Sequence, residues 1–209
     1  MIKLLVSGEG KTDLGELNYP YNDPANFKKG PMTCLAEKII KQCTGETPHI
    51  ELVAKTTLTQ KAKNSRKMKL PGKKSRKKTG YFYKNAYIFG QIALEKGEDI
   101  AILFRDTDGT QSTSPSNWKE RAESIHDGFK DSGFQNGVAM VPKPTSEAWI
   151  LCCLQNYKNC DKLEELSGNQ SSSKHPTICT SNTNDKTVIE QVRHILCLPT
   201  DSTYLLCLN

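Results

Sequence analysis

Four short apolar runs alternate with segments of helical spacing, and this alternation limits the possible folds more than any other feature of the chain. The apolar runs are Ile2–Ser7, Ile50–Val53, Asp99–Phe104 and Val138–Val141. Apolar residues recur on one helical face at about 32–43, 81–96 and 115–131, and again from Trp149 to Leu154. Strands joined by helices form a parallel sheet covered by helices. The sequence therefore predicts an α/β fold, with residues 100–104 buried on both faces because their apolarity is unbroken.

The remaining segments are polar and predict loops. Residues 13–31 are rich in proline, asparagine and glycine, which indicates a loop. Residues 56–79 bury too little apolar surface to fold alone, so we expect a mobile basic insertion at 55–80. The segment 158–209 predicts a loop-rich C-terminal extension in which only Val188–Leu196 has helical spacing. A chain of 209 residues supports one main domain, which we place at 1–157.

Positive charge is concentrated in one segment. Twelve Lys and Arg residues lie from Lys55 to Lys84, and no acidic residue lies between Glu51 and Glu95. Such a segment is typical of proteins that bind DNA or RNA through the phosphate backbone, with nearby aromatic rings stacking on bases. It can also be a surface arm that docks on an acidic protein. The first interpretation predicts nucleic-acid contacts at Lys67, Lys69, Lys73, Lys74, Arg76, Lys77, Lys78, Tyr81 and Tyr83.

Hydropathy and cysteine usage predict a cytoplasmic protein without a membrane partner. No apolar segment is long enough for a signal sequence or a membrane span. We therefore expect a reducing compartment, in which the eight cysteines remain thiols. A zinc site is disfavoured because Cys-x-x-Cys pairs are absent and adjacent cysteines chelate poorly. The residues that such a site would draw on are Cys152, Cys153, Cys160, His175 and Cys179.

Acidic residues follow three of the predicted strands, where parallel sheets place their functional crevice. Glu9 follows the first strand, Asp106 and Asp108 follow the third, and Glu147 lies shortly after the fourth. The Asp-x-Asp spacing places both side chains on one face of an extended strand end. Carboxylate oxygens are the ligands that Mg²⁺ and Mn²⁺ prefer. Alone, each acid can be a turn or helix-start residue; together they predict a metal site.

The predicted metal ligands are Glu9, Asp106 and Asp108, and Glu147 is predicted to be catalytic beside them. Lys143 is a further catalytic candidate because its charge can stabilise a developing anion, although it can equally be a solvated loop lysine. Arg105 is placed in a similar way.

Two common phosphate and metal motifs do not fit. Gly10-Lys11-Thr12 follows a strand, but a P-loop requires glycine five residues before Gly10, where Leu5 stands. Asp106-x-Asp108-Gly109 lacks the third oxygen ligand before the glycine and the later glutamate of a Ca²⁺ loop.

The acidic segments carry a family resemblance. Val6–Asp13 resembles the first motif of TOPRIM domains, and Leu103–Gly109 resembles their Asp-x-Asp motif. Pro144–Leu151 resembles the Glu-Ala-Trp helix start of a bacterial TOPRIM-like branch found among phage-defence genes. The resemblance covers about residues 1–157.

The resemblance implies a Rossmann-like TOPRIM sheet in which Glu9 is a general acid/base or metal ligand and Asp106 and Asp108 hold Mg²⁺. The third acid of the family's Asp-x-Asp motif is absent, with Gln111 nearby, so one-metal and two-metal chemistry both stay open. The expected function is Mg²⁺-dependent hydrolysis of DNA or RNA by a nuclease, as an effector of anti-phage defence. The alternative is a non-catalytic subunit that binds nucleic acid or an ABC-type ATPase.

Overall fold

The computed structural model describes residues 1–17, 27–64, 79–105 and 115–142, together with Ser146 and Trp149. Strands in this part of the chain are β1 (Lys3–Gly8), β2 (Gly15–Leu17), β3 (Phe27–Lys29), β4 (His49–Val53), β5 (Ile100–Phe104) and β6 (Gly137–Met140). Helices are α1 (Lys11–Leu14), α2 (Pro31–Thr44), α3 (Lys55–Asn64), α4 (Gly80–Lys96) and α5 (Pro115–Ser132).

The main sheet is parallel, as the alternation of apolar and helical segments predicts. Its strand order is β4-β1-β5-β6, and every neighbouring pair runs parallel. In the centre, Leu5 of β1 is in register with Glu51 on one side and Ala101 on the other. The four strands predicted from the sequence are confirmed, and they form one sheet flanked by helices.

Helices cover both faces of this sheet because alternate strand residues point in opposite directions. Leu5, Ala101 and Leu103 belong to a core that α3, α4 and α5 complete. Leu4, Val6, Ile102 and Phe104 belong to a second core that α1 and α2 complete. The prediction that residues 100–104 are buried on both faces is therefore confirmed.

Two predicted loops contain regular structure. Residues 13–31 were expected to be a loop, but β2 and β3 pair antiparallel there and form a separate two-stranded sheet. Residues 56–79 were expected to lack structure, but α3 occupies the first part and buries Leu58 and Ala62 against the sheet. Both elements are short and polar, and their stability comes from tertiary contacts that leave little periodicity in the sequence.

Several predictions fall outside the described residues. These are the expected mobility of 65–78, most of the helix expected from Trp149 to Leu154, and the C-terminal extension. Among the helices that the structure does describe, none has the length and apolarity needed to cross a membrane.

Candidate functional site

The order of the main sheet reverses between β1 and β5. The chain passes from β1 through α2 to β4, and then returns past β1 to place β5 on the other side. Loops that leave two such strands run toward opposite faces of the sheet and open a crevice beyond the strand ends, where ligands of open parallel sheets bind. Glu9 directly follows β1, and Arg105 directly follows β5. The two residues therefore flank this crevice.

Glu9 is in contact with two cationic side chains. Its Oε1 lies 3.5 Å from Nη1 of Arg105 and 3.6 Å from Nζ of Lys55. Lys55 is the first residue of α3, which follows β4. The carboxyl ends of β1, β4 and β5 thus each contribute one charged side chain to a cluster that we call the Glu9 cluster (Glu9, Lys55 and Arg105).

Arg105 is the buried member of the Glu9 cluster. Its side chain is 0% exposed, whereas those of Glu9 and Lys55 are 34% and 48% exposed. The guanidinium carbon lies 5.6 Å from the centre of the Tyr81 ring, at the start of α4. Burial lowers the pKa of the Arg105 guanidinium below its ordinary value, and nearby Tyr81 and Glu9 act in the opposite direction. The charge persists at neutral pH because an arginine starts from a very high pKa.

Two nitrogens of the Arg105 guanidinium lack a partner within the described part of the chain. These atoms are Nε and Nη2. Their N–H bonds point in the same direction, so together they form one complete edge of the guanidinium that can bind a carboxylate or a phosphate with two hydrogen bonds. Leaving a buried charged donor without an acceptor is costly, which makes this edge a candidate binding feature.

Ser146, the neighbour of Glu147 in the sequence, lies at the same end of the sheet. The hydroxyl of Ser146 donates a hydrogen bond of 2.6 Å to Oδ1 of Asp13, in the short helix α1 that follows Glu9. Trp149 packs on the core that α1 and α2 complete. Chain segments from three predicted motifs therefore meet at one edge of the sheet, represented by Glu9 with Asp13, by Arg105 and by Ser146.

Most of the predicted site residues lie outside the described residues. This holds for Asp106, Asp108, Lys143 and Glu147, and for the basic residues Lys67, Lys69, Lys73, Lys74, Arg76, Lys77 and Lys78. Within the described ranges, no three His, Cys, Asp or Glu side chains are grouped closely enough to hold a metal ion. That finding leaves the predicted metal site untested, because two of its three ligands are not among those residues.

The two tyrosines that were predicted to stack on bases differ in their exposure to solvent. Tyr83 is 0% exposed, and its hydroxyl donates a hydrogen bond of 2.7 Å to Oδ2 of Asp131. Its prediction as a nucleic-acid contact is wrong, because the helical turn points this ring into the α4–α5 packing. Tyr81 is 46% exposed and stays a candidate.

Sequence reasoning missed Lys55 and the burial of Arg105. Lys55 gave no specific signal, since it is the first of many lysines in a basic segment. Arg105 did offer one: it lies two residues after Leu103 and four after Ala101, so it continues a stripe of inward-facing strand residues. A charged residue at the end of such a stripe indicates a buried charge that needs a partner.

The fold and the Glu9 cluster define an α/β protein with a charged site at the reversal of a parallel sheet. Comparisons of the chain with protein-family models, with curated proteins and with solved structures found no match.

Proposed function

We propose that this protein is a metal-dependent nuclease of TOPRIM type, which hydrolyses phosphodiester bonds of nucleic acid at the crevice between β1 and β5. The observation that carries the proposal is the contact between Glu9 and Arg105 across the reversal of the sheet. Arg105 immediately precedes Asp106 in the chain, so the two predicted acidic motifs start from neighbouring strand ends.

The chemistry of the donor set fits a hard divalent cation. Both contacts that the described residues make with the Glu9 carboxylate are to Oε1, and its side chain is partly exposed, so Oε2 is available as a ligand. Glu9, Asp106 and Asp108 would hold Mg²⁺ or Mn²⁺ through oxygen atoms alone. When bound, such an ion polarises the phosphoryl group and stabilises negative charge on the leaving oxygen.

The protein's own residues have distinct tasks in this proposal. Glu9 accepts a proton from the attacking water or returns one to the departing hydroxyl. Arg105 and Lys55 hold the Glu9 carboxylate at the strand ends before substrate binds, by contacting the same oxygen atom. Lys143 and Glu147 are close in sequence to Ser146, which bonds to Asp13, and they are proposed to complete the site.

The test is a cleavage assay on single- and double-stranded DNA and RNA with Mg²⁺, with Mn²⁺ or with EDTA. We expect metal-dependent cleavage that Glu9→Gln and Asp106→Ala each reduce by about 100-fold or more, the range typical of a lost acid/base or metal ligand. Glu120→Gln is the matched control, since this residue of α5 is exposed and lies outside all three motifs. Equal residual cleavage in all three variants would show a contaminating nuclease and defeat the proposal. Inactivity on every substrate would favour the non-catalytic binding subunit.

A further inference from the structure

We propose that Arg105, Lys55 and the first turn of α3 form a binding subsite for a phosphate group of nucleic acid, and that Glu9 occupies part of this subsite when no phosphate is bound. The subsite deepens the proposed function and rests on it for the identity of the ligand. Each of its parts lies at the carboxyl edge of the sheet, next to the reversal between β1 and β5.

The open edge of the Arg105 guanidinium is the first observation that points to an anion. Nε and Nη2 have no acceptor among the described residues, although the side chain is fully buried. In the described part of the chain, Nη1 has only a long contact with Glu9, at 3.5 Å. Planar pairs of N–H donors match the oxygens of a phosphate, which accepts two hydrogen bonds from such an edge.

The first turn of α3 is the second, independent feature. The first backbone hydrogen bond of this helix runs from the N–H of Leu58 to the carbonyl of Ala54. The N–H groups of residues 55–57 therefore have no acceptor inside the helix. These residues and Ala54 are exposed, and the first turn contains no acidic residue. The positive end of a ten-residue helix, reinforced by the ammonium group of Lys55, attracts anions.

Charge balance explains the role of Glu9. The Glu9 cluster contains two cations and one anion, and both cations contact the same carboxylate oxygen. A phosphate competes with Glu9 for these cations, and a carboxylate at this distance offers only a weak bond to Arg105. Two side chains that contact the guanidinium, Glu9 and Tyr81, are both partly exposed. The proposal therefore assigns to their rotation the path by which a phosphate reaches Arg105.

The experiment measures binding in EDTA, where a metal-dependent enzyme cannot cleave. Short fluorescein-labelled single-stranded DNA and RNA, each in a 5′-phosphate and a 5′-hydroxyl form, are titrated with the protein and followed by anisotropy. We expect Lys55→Gln and Arg105→Met each to weaken binding by about tenfold, as for the loss of one charge-assisted hydrogen bond. Glu9→Gln should tighten binding several-fold, because it removes the competing charge. Damage to the fold would not produce such a gain.

Lys61→Gln is the matched control for Lys55→Gln. Lys61 lies in the same helix, is similarly exposed and pairs with Glu95. It should change binding by less than about twofold, because its charge is exposed and already paired with Glu95. An effect confined to the 5′-phosphate form identifies a terminal phosphate as the ligand, and equal effects in both forms identify an internal phosphodiester.

The subsite is overturned if Lys55→Gln has no larger effect than Lys61→Gln, or if Glu9→Gln fails to tighten binding. Since Lys55 and Glu9 are partly exposed, these two variants decide the matter even if Arg105→Met does not fold. Cleavage activity without the binding changes would defeat the subsite alone. The binding changes without any cleavage would defeat the proposed nuclease alone.

Discussion

At the scale of single residues, Gly8 determines how closely β1 approaches β5 beside the Glu9 cluster. A Cβ atom at this position would collide with the carbonyl oxygen of Phe104 and lie 2.8 Å from its Cβ. Both are atoms of a neighbouring strand that cannot rotate away. Because Gly8 precedes Glu9 and Phe104 precedes Arg105, the close approach of these two residues also positions the charged pair.

Gly8→Ala is therefore expected to lower the free energy of unfolding by about 1–3 kcal/mol, the usual cost of overpacking. Urea denaturation followed by circular dichroism measures it. Gly80→Ala is the matched control, since none of the described residues lies within 4 Å of a Cβ added there. It should be neutral or raise stability by up to about 1 kcal/mol by restricting the unfolded chain. Identical midpoints for the two variants would show that the strands can separate at no cost.

Glu98 links stability to pH. Burial holds the pKa of its carboxyl above the ordinary value, and the nearby Glu51 carboxylate raises this pKa further, while Lys96, Lys3 and His49 lower it. A raised folded-state pKa means that the folded protein binds more protons than the unfolded one between the two pKa values. The charged form of Glu98 therefore opposes folding, and its contribution to stability falls as pH rises above the ordinary value of the carboxyl.

Glu98→Gln is accordingly expected to raise the melting temperature slightly at pH 7, and this gain should disappear near pH 3, where both side chains are neutral. Thermal unfolding across this pH range provides the measurement. Glu120→Gln, at an exposed position of α5, serves as the control for the loss of one surface carboxylate. A gain at pH 7 that persists unchanged at pH 3 would contradict the electrostatic explanation.

The candidate site was only partly predictable from the amino-acid sequence. Glu9 was predicted because it stands between two glycines directly after an apolar run, which indicates the end of a strand. The structure places it at the sheet edge. Tyr83 was mispredicted because the sequence shows that aromatics lie near the basic segment but not which side of α4 each occupies. The contacts of Glu9 with Lys55 and Arg105 join residues far apart in the chain, and no local pattern encodes such pairs.

At the scale of elements, strong periodicity decided which predictions succeeded. The four strands of the main sheet and the helices α2, α4 and α5 were predicted because each combines an apolar pattern with a turn or cap signal. The elements α1, β2 and β3 are three or four residues long, too short to show a period. Helix α3 was missed because it buries only Leu58 and Ala62 among charged and polar residues.

The contact between α4 and α5 depends on a second close approach. A Cβ atom on Gly128 of α5 would collide with the carbonyl oxygen of Tyr83 and lie 2.8 Å from the Cβ of Ala86. Helix propensity alone predicts that Gly128→Ala raises stability by about 1 kcal/mol. Since a helix backbone cannot move aside locally, the collision outweighs this gain.

We therefore expect Gly128→Ala to lower the free energy of unfolding by up to about 2 kcal/mol, the overpacking cost after subtraction of the propensity gain. Chemical denaturation measures the change. Lys130→Ala, at an exposed position of the same helix, should stay within about 0.5 kcal/mol of the unmodified protein. A more stable Gly128→Ala variant would mean that α4 and α5 are packed less closely than the structure shows.

At the scale of the whole molecule, the distribution of charge matters more than the net charge of +6. The basic segment that starts at Lys55 continues from α3, and Lys55 itself contacts Glu9 at the sheet edge. If the segment follows a nucleic-acid backbone, charges at 67–78 act together with the Glu9 cluster on one polyanion. If it docks on an acidic protein instead, these charges contribute nothing specific to nucleic-acid binding.

The salt dependence of DNA binding distinguishes these two cases. Replacing Lys73, Lys74, Lys77 and Lys78 by glutamine should weaken binding to duplex DNA in EDTA and reduce the slope of log K against log salt by up to about 3–4, since each phosphate contact contributes about 0.9. The control replaces four exposed lysines on other elements, Lys3, Lys41, Lys119 and Lys130. Both variants lose the same net charge, so long-range attraction falls equally, and only direct phosphate contacts make the slopes differ. Equal slopes would assign the segment to an acidic protein partner and leave the Glu9 cluster to bind nucleic acid without it.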